Sequence, residues 1–220
     1  MQKKGIFLAQ QTNETCGISC ILMALTAFGK IKKPKENLMD EKSTESIFYE
    51  MYGFETPEGK RLGTLGGAIA YALSCRGLDA KIWHASEGLI ENKGGYFPEA
   101  MHEKMQMDHR SWMDKATGNV QLTILPDLAE EMQRLADALD GEHLLIVQCL
   151  VDGDADGMHD KVLHWILLFE HNDGVFRAYD PGYVRRSNKA PNYIEITQRE
   201  LRSFMDTPVG AAVICVGERK

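Results

Sequence analysis

Apolar residues between positions 16 and 28 recur with the period of an α-helix. Five of them share one helix face: Ile18, Ile21, Leu22, Leu25 and Phe28. We expect the Thr15 hydroxyl to cap the first turn and Gly29 to end the helix in the left-handed conformation. Similar patterns predict helices over 43–52 and 64–76. The first third of the chain is therefore predicted to be a helical lobe.

The second half of the chain has the pattern of an antiparallel sheet. Turn residues Asn172-Asp173-Gly174 separate two apolar runs, as in a β-hairpin. A further helix is expected after a capping box of Asp127 and Glu130, and it ends at Gly141. Strands are predicted at 78–83, 144–151, 162–170, 175–180, 193–197 and 211–216, with a short helix at 198–205. These elements together predict an α+β fold.

Residues 85–125 have the least regular pattern in the chain. Met101 and Met105 indicate one short amphipathic helix that begins at Pro98. Histidines 102 and 109 lie nearby, but their spacing is not that of a metal site. We interpret the segment as an insertion or flap with some core packing, between a helical part at 1–84 and a helix-plus-sheet part at 126–220.

Composition limits the function classes. The 220 residues are 44% hydrophobic, enough for one well-buried core. A net charge of -7 argues against a nucleic-acid partner, because the phosphate backbone demands a basic face. No apolar run reaches the length of a membrane span or a signal peptide. We expect a cytoplasmic protein, although export by a route without a cleaved signal stays open.

The cysteines indicate a reducing compartment and one candidate nucleophile. Their number is odd, five, and they include no paired C-x-x-C zinc motif. Cys20, Cys75, Cys149 and Cys215 are expected to be small buried hydrophobes. Cys16 differs because it begins the predicted helix, where free N–H groups and the helix dipole favour an anion. Its thiol should therefore ionise readily.

A thiol nucleophile needs a base and a group that orients the base. His164 opens the apolar strand that leads into the hairpin, and the partner strand ends at Asp180. His164 faces Tyr183 if the two-residue loop is Asp173-Gly174, and Pro181 if it is Asn172-Asp173. Either register leaves Asp180 near enough to fix the imidazole tautomer. Asp180 could instead only cap the following turn.

Three other features bear on the chemistry. Gln10 lies six residues before Cys16, and its side-chain amide could donate to an oxyanion together with the Cys16 N–H. The acidic turn at 152–160 resembles half of a calcium loop, but Leu163 stands where a bidentate glutamate is required. The glycines at 63, 66 and 67 lack the lysine of a phosphate loop. The sequence thus indicates no cofactor and no metal.

The order of these residues resembles a known family. Gln10, the Cys16-Gly17 pair, a histidine that opens an apolar strand and the Asp180-Pro181 pair sixteen residues later occur in the papain-like cysteine peptidases of the bacteriocin-processing type. Those enzymes cut leader peptides after a double glycine, and phytochelatin synthase has a similar Gln-to-Cys-Gly element. The Cys16-to-His164 interval of 148 residues is longer than the resemblance leads one to expect, and the excess falls in 85–125.

The resemblance implies a papain-like α+β fold, with the helix of the nucleophile packed on the C-terminal antiparallel sheet. It also implies roles for four residues: Cys16 as nucleophile, His164 as base, Asp180 as orienting carboxylate and Gln10 as oxyanion-hole donor. The expected function is a cysteine peptidase that cuts a peptide or protein substrate. Two alternatives stay open: a glutamine deamidase or acyl transferase with the same triad, and a non-catalytic peptide-binding domain.

Overall fold

A computed structural model describes most of the chain. The described residues are 6–10, 12, 14–32, 44–86, 90–116, 120–128, 131–152, 161–182 and 193–219. In this part, the helices are α1 (Cys16–Ala27), α2 (Thr44–Tyr52), α3 (Gly66–Ser74), α4 (Glu99–Lys115), α5 (Met132–Asp140) and α6 (Gln198–Met205). The strands are β1 (Gly53–Glu55), β2 (Arg61–Thr64), β3 (Leu78–His84), β4 (Val120–Ile124), β5 (Leu144–Asp152), β6 (Lys161–Asn172), β7 (Val175–Tyr179), β8 (Ile194–Thr197) and β9 (Ala212–Glu218).

Seven strands form one sheet, in the order β4-β3-β9-β5-β6-β7-β8. Every neighbouring pair is antiparallel except β3 and β4. Strand β5 shows how the sheet is covered on both sides: Leu144 and Ile146 pack in the core that contains α1 and α3, while Leu145 and Val147 pack with α5 and α6. Alternate residues thus enter different cores, as the period of a strand requires. The predicted α+β class is confirmed.

The hairpin of β6 and β7 decides where its polar residues lie. Asp173 and Gly174 form its two-residue loop, both with positive φ, and Asn172 faces Val175. A bulge at Phe169 then shifts the register by one residue, so that Leu167 faces Tyr179. The Phe169 ring stacks on Tyr179 with centroids 4.3 Å apart, which fits the bulged residue into the core.

Several predicted helix starts are wrong. The Thr15 hydroxyl does not cap α1 but donates to the Thr12 carbonyl, 3.2 Å away. The helix predicted from residue 64 starts only at Gly66, because Thr64 is the last residue of β2, which pairs with β1. Asp127 lies in a turn, and α5 starts only at Met132 with no side-chain cap. The end of α1 is as predicted, with Gly29 at φ 65°.

Cys75, which was expected to be buried, is exposed, and so are two apolar residues of α2. Ile47 and Met51 lie on the outer side of α2, at 46% and 51% exposure, whereas Phe48 and Tyr52 of the same helix are buried. Cys75 follows α3 and is also exposed, unlike the other four cysteines. An exposed thiol in a solvated turn is a competitor for any reagent aimed at cysteine.

Much of 85–125 is regular structure rather than a flap. The helix predicted from Pro98 forms, and as α4 it is 17 residues long. Strand β4 adds to the sheet in parallel beside β3. Helix α4 lies close against α3 because Gly67 has no side chain: a Cβ there would meet the His109 carbonyl oxygen at 2.8 Å. No helix among the described residues is long and apolar enough to span a membrane.

Candidate active site

Cys16 is the first residue of α1 and is buried. The next residue, Gly17, lets the start of the helix approach the sheet. A Cβ at Gly17 would lie 3.0 Å from Thr64 Cβ and 3.2 Å from Trp165 Cδ1, tighter than ordinary packing. Gly17 therefore has a packing role: without a side chain there, the start of α1 can lie close to Thr64 and Trp165, which brings Cys16 next to β6.

His164 and Asp180 meet across the hairpin. His164 Nε2 donates to Asp180 Oδ1 at 2.7 Å, and both side chains are buried. The register set by the bulge, carried past Leu167, places His164 opposite Gly182, between the two registers considered from the sequence. The Gly182 N–H also donates to Asp180 Oδ1, at 2.8 Å. Asp180 thus holds the turn and the histidine with the same oxygen.

Cys16 is the second group that acts on the charge of the His164 imidazole. Burial lowers the pKa of His164, but the negative charge of Cys16 and the hydrogen bond to Asp180 outweigh burial and raise the pKa to about 10. The surroundings of His164 therefore favour its protonated, imidazolium form.

One hydrogen bond joins α1 to β6, and a second joins β6 to β2. One turn after Cys16, the Cys20 thiol donates to the Trp165 carbonyl oxygen at 3.5 Å. The Trp165 indole N–H donates to the Thr64 carbonyl oxygen at 2.9 Å. Burial raises the pKa of Cys20 well above its usual range, so this thiol stays protonated. Sequence reasoning missed Trp165 as a positioning residue; its signal was its place directly after His164.

Gln10 lies next to the same turn. Its backbone N–H donates to the Pro181 carbonyl oxygen at 3.1 Å, so it is tied to the residue after Asp180. The side chain is buried, and its Oε1 has no hydrogen-bond partner among the described residues. The structure thus brings all four predicted site residues to one region; their catalytic roles stay predictions.

A cleft of about 190 Å³ opens beside Cys16. Its walls come from three places in the fold: the β2–α3 connection, α4 and the start of β6. Six of its apolar lining residues are Leu62, Leu65, Met101, Met105, Leu163 and Trp165. The segment expected to be a flap therefore supplies one wall of the candidate site through α4.

Two buried histidines lie behind the cleft. The rings of His84 and His109 are 6.5 Å apart and border a cavity of about 20 Å³. Neither ring nitrogen of His109 has a hydrogen-bond partner among the described residues. Burial and the neighbouring His84 lower the pKa of His109 to about 4, so the ring is neutral at pH 7.

Within the described ranges, no group of three or more histidine, cysteine or acidic residues is arranged to hold a metal ion. His102, one of the histidines considered as a ligand, bonds through Nε2 to the Ile90 carbonyl oxygen at 2.8 Å. Most of the acidic turn considered for calcium, 153–160, lies outside the described residues.

Comparison with solved structures identifies the fold. A protein from Bacillus anthracis described as a C39-like peptidase superposes with a TM-score of 0.52 at 9% identity, over 99% of this chain and 97% of that one. The chain has the C39-like, papain-like fold. The peptidase domain of Streptococcus ComA, a bifunctional ABC transporter of a quorum-sensing pathway, has a TM-score of 0.44 and 10% identity over 97% and 98% of the two chains. No protein-family model and no curated protein sequence matches this chain.

The C39-like fold agrees with the resemblance inferred from the sequence, including the helix of the candidate nucleophile packed on an antiparallel sheet. At this level of identity the likeness concerns the fold. Any assignment of chemistry has to rest on the geometry of Cys16, His164 and Asp180 described above.

Proposed function

We propose that the protein is a cysteine peptidase that hydrolyses a peptide or protein substrate through Cys16, His164 and Asp180. The observation that carries the proposal is a set of three buried side chains: His164 is hydrogen-bonded to Asp180, its charge is coupled to Cys16, and Cys16 lines a cleft. Its order, nucleophile to base to orienting group, is what acyl transfer by a thiol requires.

The chemistry follows from the contacts. The Cys16 thiolate attacks the carbonyl carbon of the scissile bond, and the carbonyl oxygen becomes an oxyanion. Cys16 is the first residue of α1, so its N–H has no partner within the helix and would donate to the oxyanion, with the Gln10 side-chain amide as the second donor. The imidazolium of His164 then gives its proton to the leaving amine, which leaves an acyl group on the sulfur.

The second half of the reaction regenerates the enzyme. Neutral His164 takes a proton from water, the hydroxide attacks the thioester, and the carboxylate product leaves Cys16 as thiolate beside imidazolium. Asp180 holds the ring in one orientation throughout, because its Oδ1 is itself fixed by the Gly182 N–H. The carboxylate therefore acts as an orienting group that is already in place before substrate binds.

The nucleophile is tested by the rate at which iodoacetamide modifies each cysteine, read by mass spectrometry of peptides. A Cys75→Ser background removes the exposed competitor. Cys16 should react fastest, since burial raises the pKa of Cys20 and of Cys215, the latter to about 12. His164→Ala should slow Cys16 about tenfold or more at pH 6.5, because a free thiol is only about 1% ionised there. Equal modification rates for Cys16 and the other buried cysteines would contradict the proposal.

Hydrolysis is tested with a peptide library made from a digested proteome. The enzyme should create new N-termini that are absent with Cys16→Ser, and an acyl adduct should be trapped on Cys16 by rapid acid quenching. Intact peptides that gain about one dalton without being cut would instead identify deamidation by the same thiol. Neither change, with Cys16 still reactive, would exclude both reactions on these peptides.

A further inference from the structure

The cleft beside Cys16 is apolar on three sides. Leu62, Met101 and Leu163 are half-buried and converge on it from β2, α4 and β6. They pack against a small core of buried residues that includes Leu65 and Met105. Apolar side chains that converge on one cavity next to a nucleophile provide a binding surface for an apolar group.

The size of the cleft defines what it can hold. Its volume is about 190 Å³, and an apolar protein cavity of about 150 Å³ is large enough to take up benzene. A phenylalanine, leucine or methionine side chain would fill most of this space. A glycine would leave the same walls facing solvent and would gain nothing from them.

Three polar residues also line the cleft. Glu14 and Thr64 belong to the segments that carry and flank Cys16, and Gln148 is the lining residue contributed by β5. None of these is a cation, so the described lining offers no partner to an acidic side chain. The lining therefore favours an apolar side chain over an acidic one.

We propose that the cleft selects substrates by one large apolar side chain, of the leucine, methionine or phenylalanine class, at a residue next to the scissile bond. The proposal rests on the proposed cysteine-peptidase function and names the substrate class of that site. A large apolar residue at this position should raise kcat/KM about 10- to 100-fold over glycine, the range that burial of such a side chain gives.

The test uses peptide probes that carry a thiol-reactive electrophile in place of the scissile bond. One probe ends in Gly-Gly, and two others carry leucine or phenylalanine at the first or second position before the electrophile. At least one of the apolar probes should inactivate Cys16 about tenfold faster than the Gly-Gly probe. Inactivation by Gly-Gly at an equal or higher rate would overturn the proposal.

Met101 provides the variant that tests the pocket itself. Met101→Glu places a charge in the apolar wall and should bring the ratio of leucine-probe to Gly-Gly-probe rates close to one, while Met101→Leu should keep it. Met107 is on the same helix but 70% exposed and outside the cleft lining, so Met107→Glu is the matched control and should keep the wild-type ratio. A ratio unchanged in Met101→Glu would overturn the proposal.

The probe series separates this proposal from the proposed function. Inactivation rates measure binding and thiol attack and do not depend on hydrolysis of an acyl-enzyme. If peptides are cut but the apolar and Gly-Gly probes react alike, the pocket proposal is wrong and the peptidase proposal stands. If the apolar probes are preferred but no peptide is cut, the pocket proposal stands and the peptidase proposal is wrong.

Discussion

The charge of His164 can be measured without knowing the substrate. In the folded protein its pKa is raised to about 10, against an ordinary value of 6.5. Asp180→Asn keeps an oxygen for the hydrogen bond but removes the carboxylate charge. A hydrogen bond to a charged group is worth about 1.5–3 kcal/mol and a neutral one about 0.5–1.5, a difference of about 1–1.5 kcal/mol. At 1.36 kcal/mol per unit, the pKa of His164 should fall by about one unit, to about 9.

The assay is an NMR titration of a protein labelled with ¹³C in its histidine rings, from pH 6 to the alkaline limit of folding seen by circular dichroism. Cys16→Ser should also lower the pKa of His164, because it removes the thiolate. Asp140→Asn is the control, since Asp140 is exposed at the end of α5 and makes no contact with the site. A His164 ring that titrates near 6.5 in the wild type, or is unmoved by Asp180→Asn, would refute the ion-pair reasoning.

The direction of the His164 pKa shift also determines how the stability of the fold depends on pH. A histidine whose folded pKa lies above its unfolded value stabilises the fold fully below pH 6.5, and this contribution is lost as the pH rises through about 10. Chemical unfolding should therefore show the wild type losing stability at alkaline pH, relative to its neutral value, more than His164→Gln does.

Three further changes have expected outcomes. Gly17→Ala should lower the melting temperature and slow modification of Cys16, because its Cβ would push α1 away from Trp165; wild-type behaviour would show that the helix needs no such approach. Gln10→Ala should reduce peptide cleavage about 10²- to 10³-fold yet leave iodoacetamide labelling of Cys16 unchanged, since alkylation forms no oxyanion; equal loss in both assays would argue against an oxyanion role. His109 has a folded pKa of about 4, below the unfolded 6.5, so stability should be lost as the pH falls from 6.5 to 4, by about 2 kcal/mol at pH 5 in urea unfolding, and His109→Leu should remove this loss.

Local signals in the sequence were enough for the elements that carry the candidate triad. The apolar period of α1 and the turn residues of the β6–β7 hairpin depend on neighbours within a few positions. The exact pairing of His164 did not follow from them, because the bulge at Phe169 depends on stacking with Tyr179 in the folded core. One extra residue moved the histidine to face Gly182.

The length of α4 and the presence of β4 in 85–125 were not predicted, because both depend on contacts between distant parts of the chain. Helix α4 buries only Met105 and His109, so its amphipathic signal is weak over most of its 17 residues. Strand β4 pairs in parallel with β3, and parallel strands are not joined by a short turn that could be recognised in the sequence. The placement of Gln10 is similar, because its backbone bond to Pro181 joins residues far apart in the chain.

The separation of Cys16 from its base has a consequence for synthesis of the chain. His164 and Asp180 belong to one hairpin, which can form on its own within microseconds once it is made. Cys16 is synthesised 148 residues before His164, so neither the imidazole nor the carboxylate of the proposed triad exists when Cys16 is made. The proposed triad is therefore incomplete in a growing chain until α1 docks on the completed sheet.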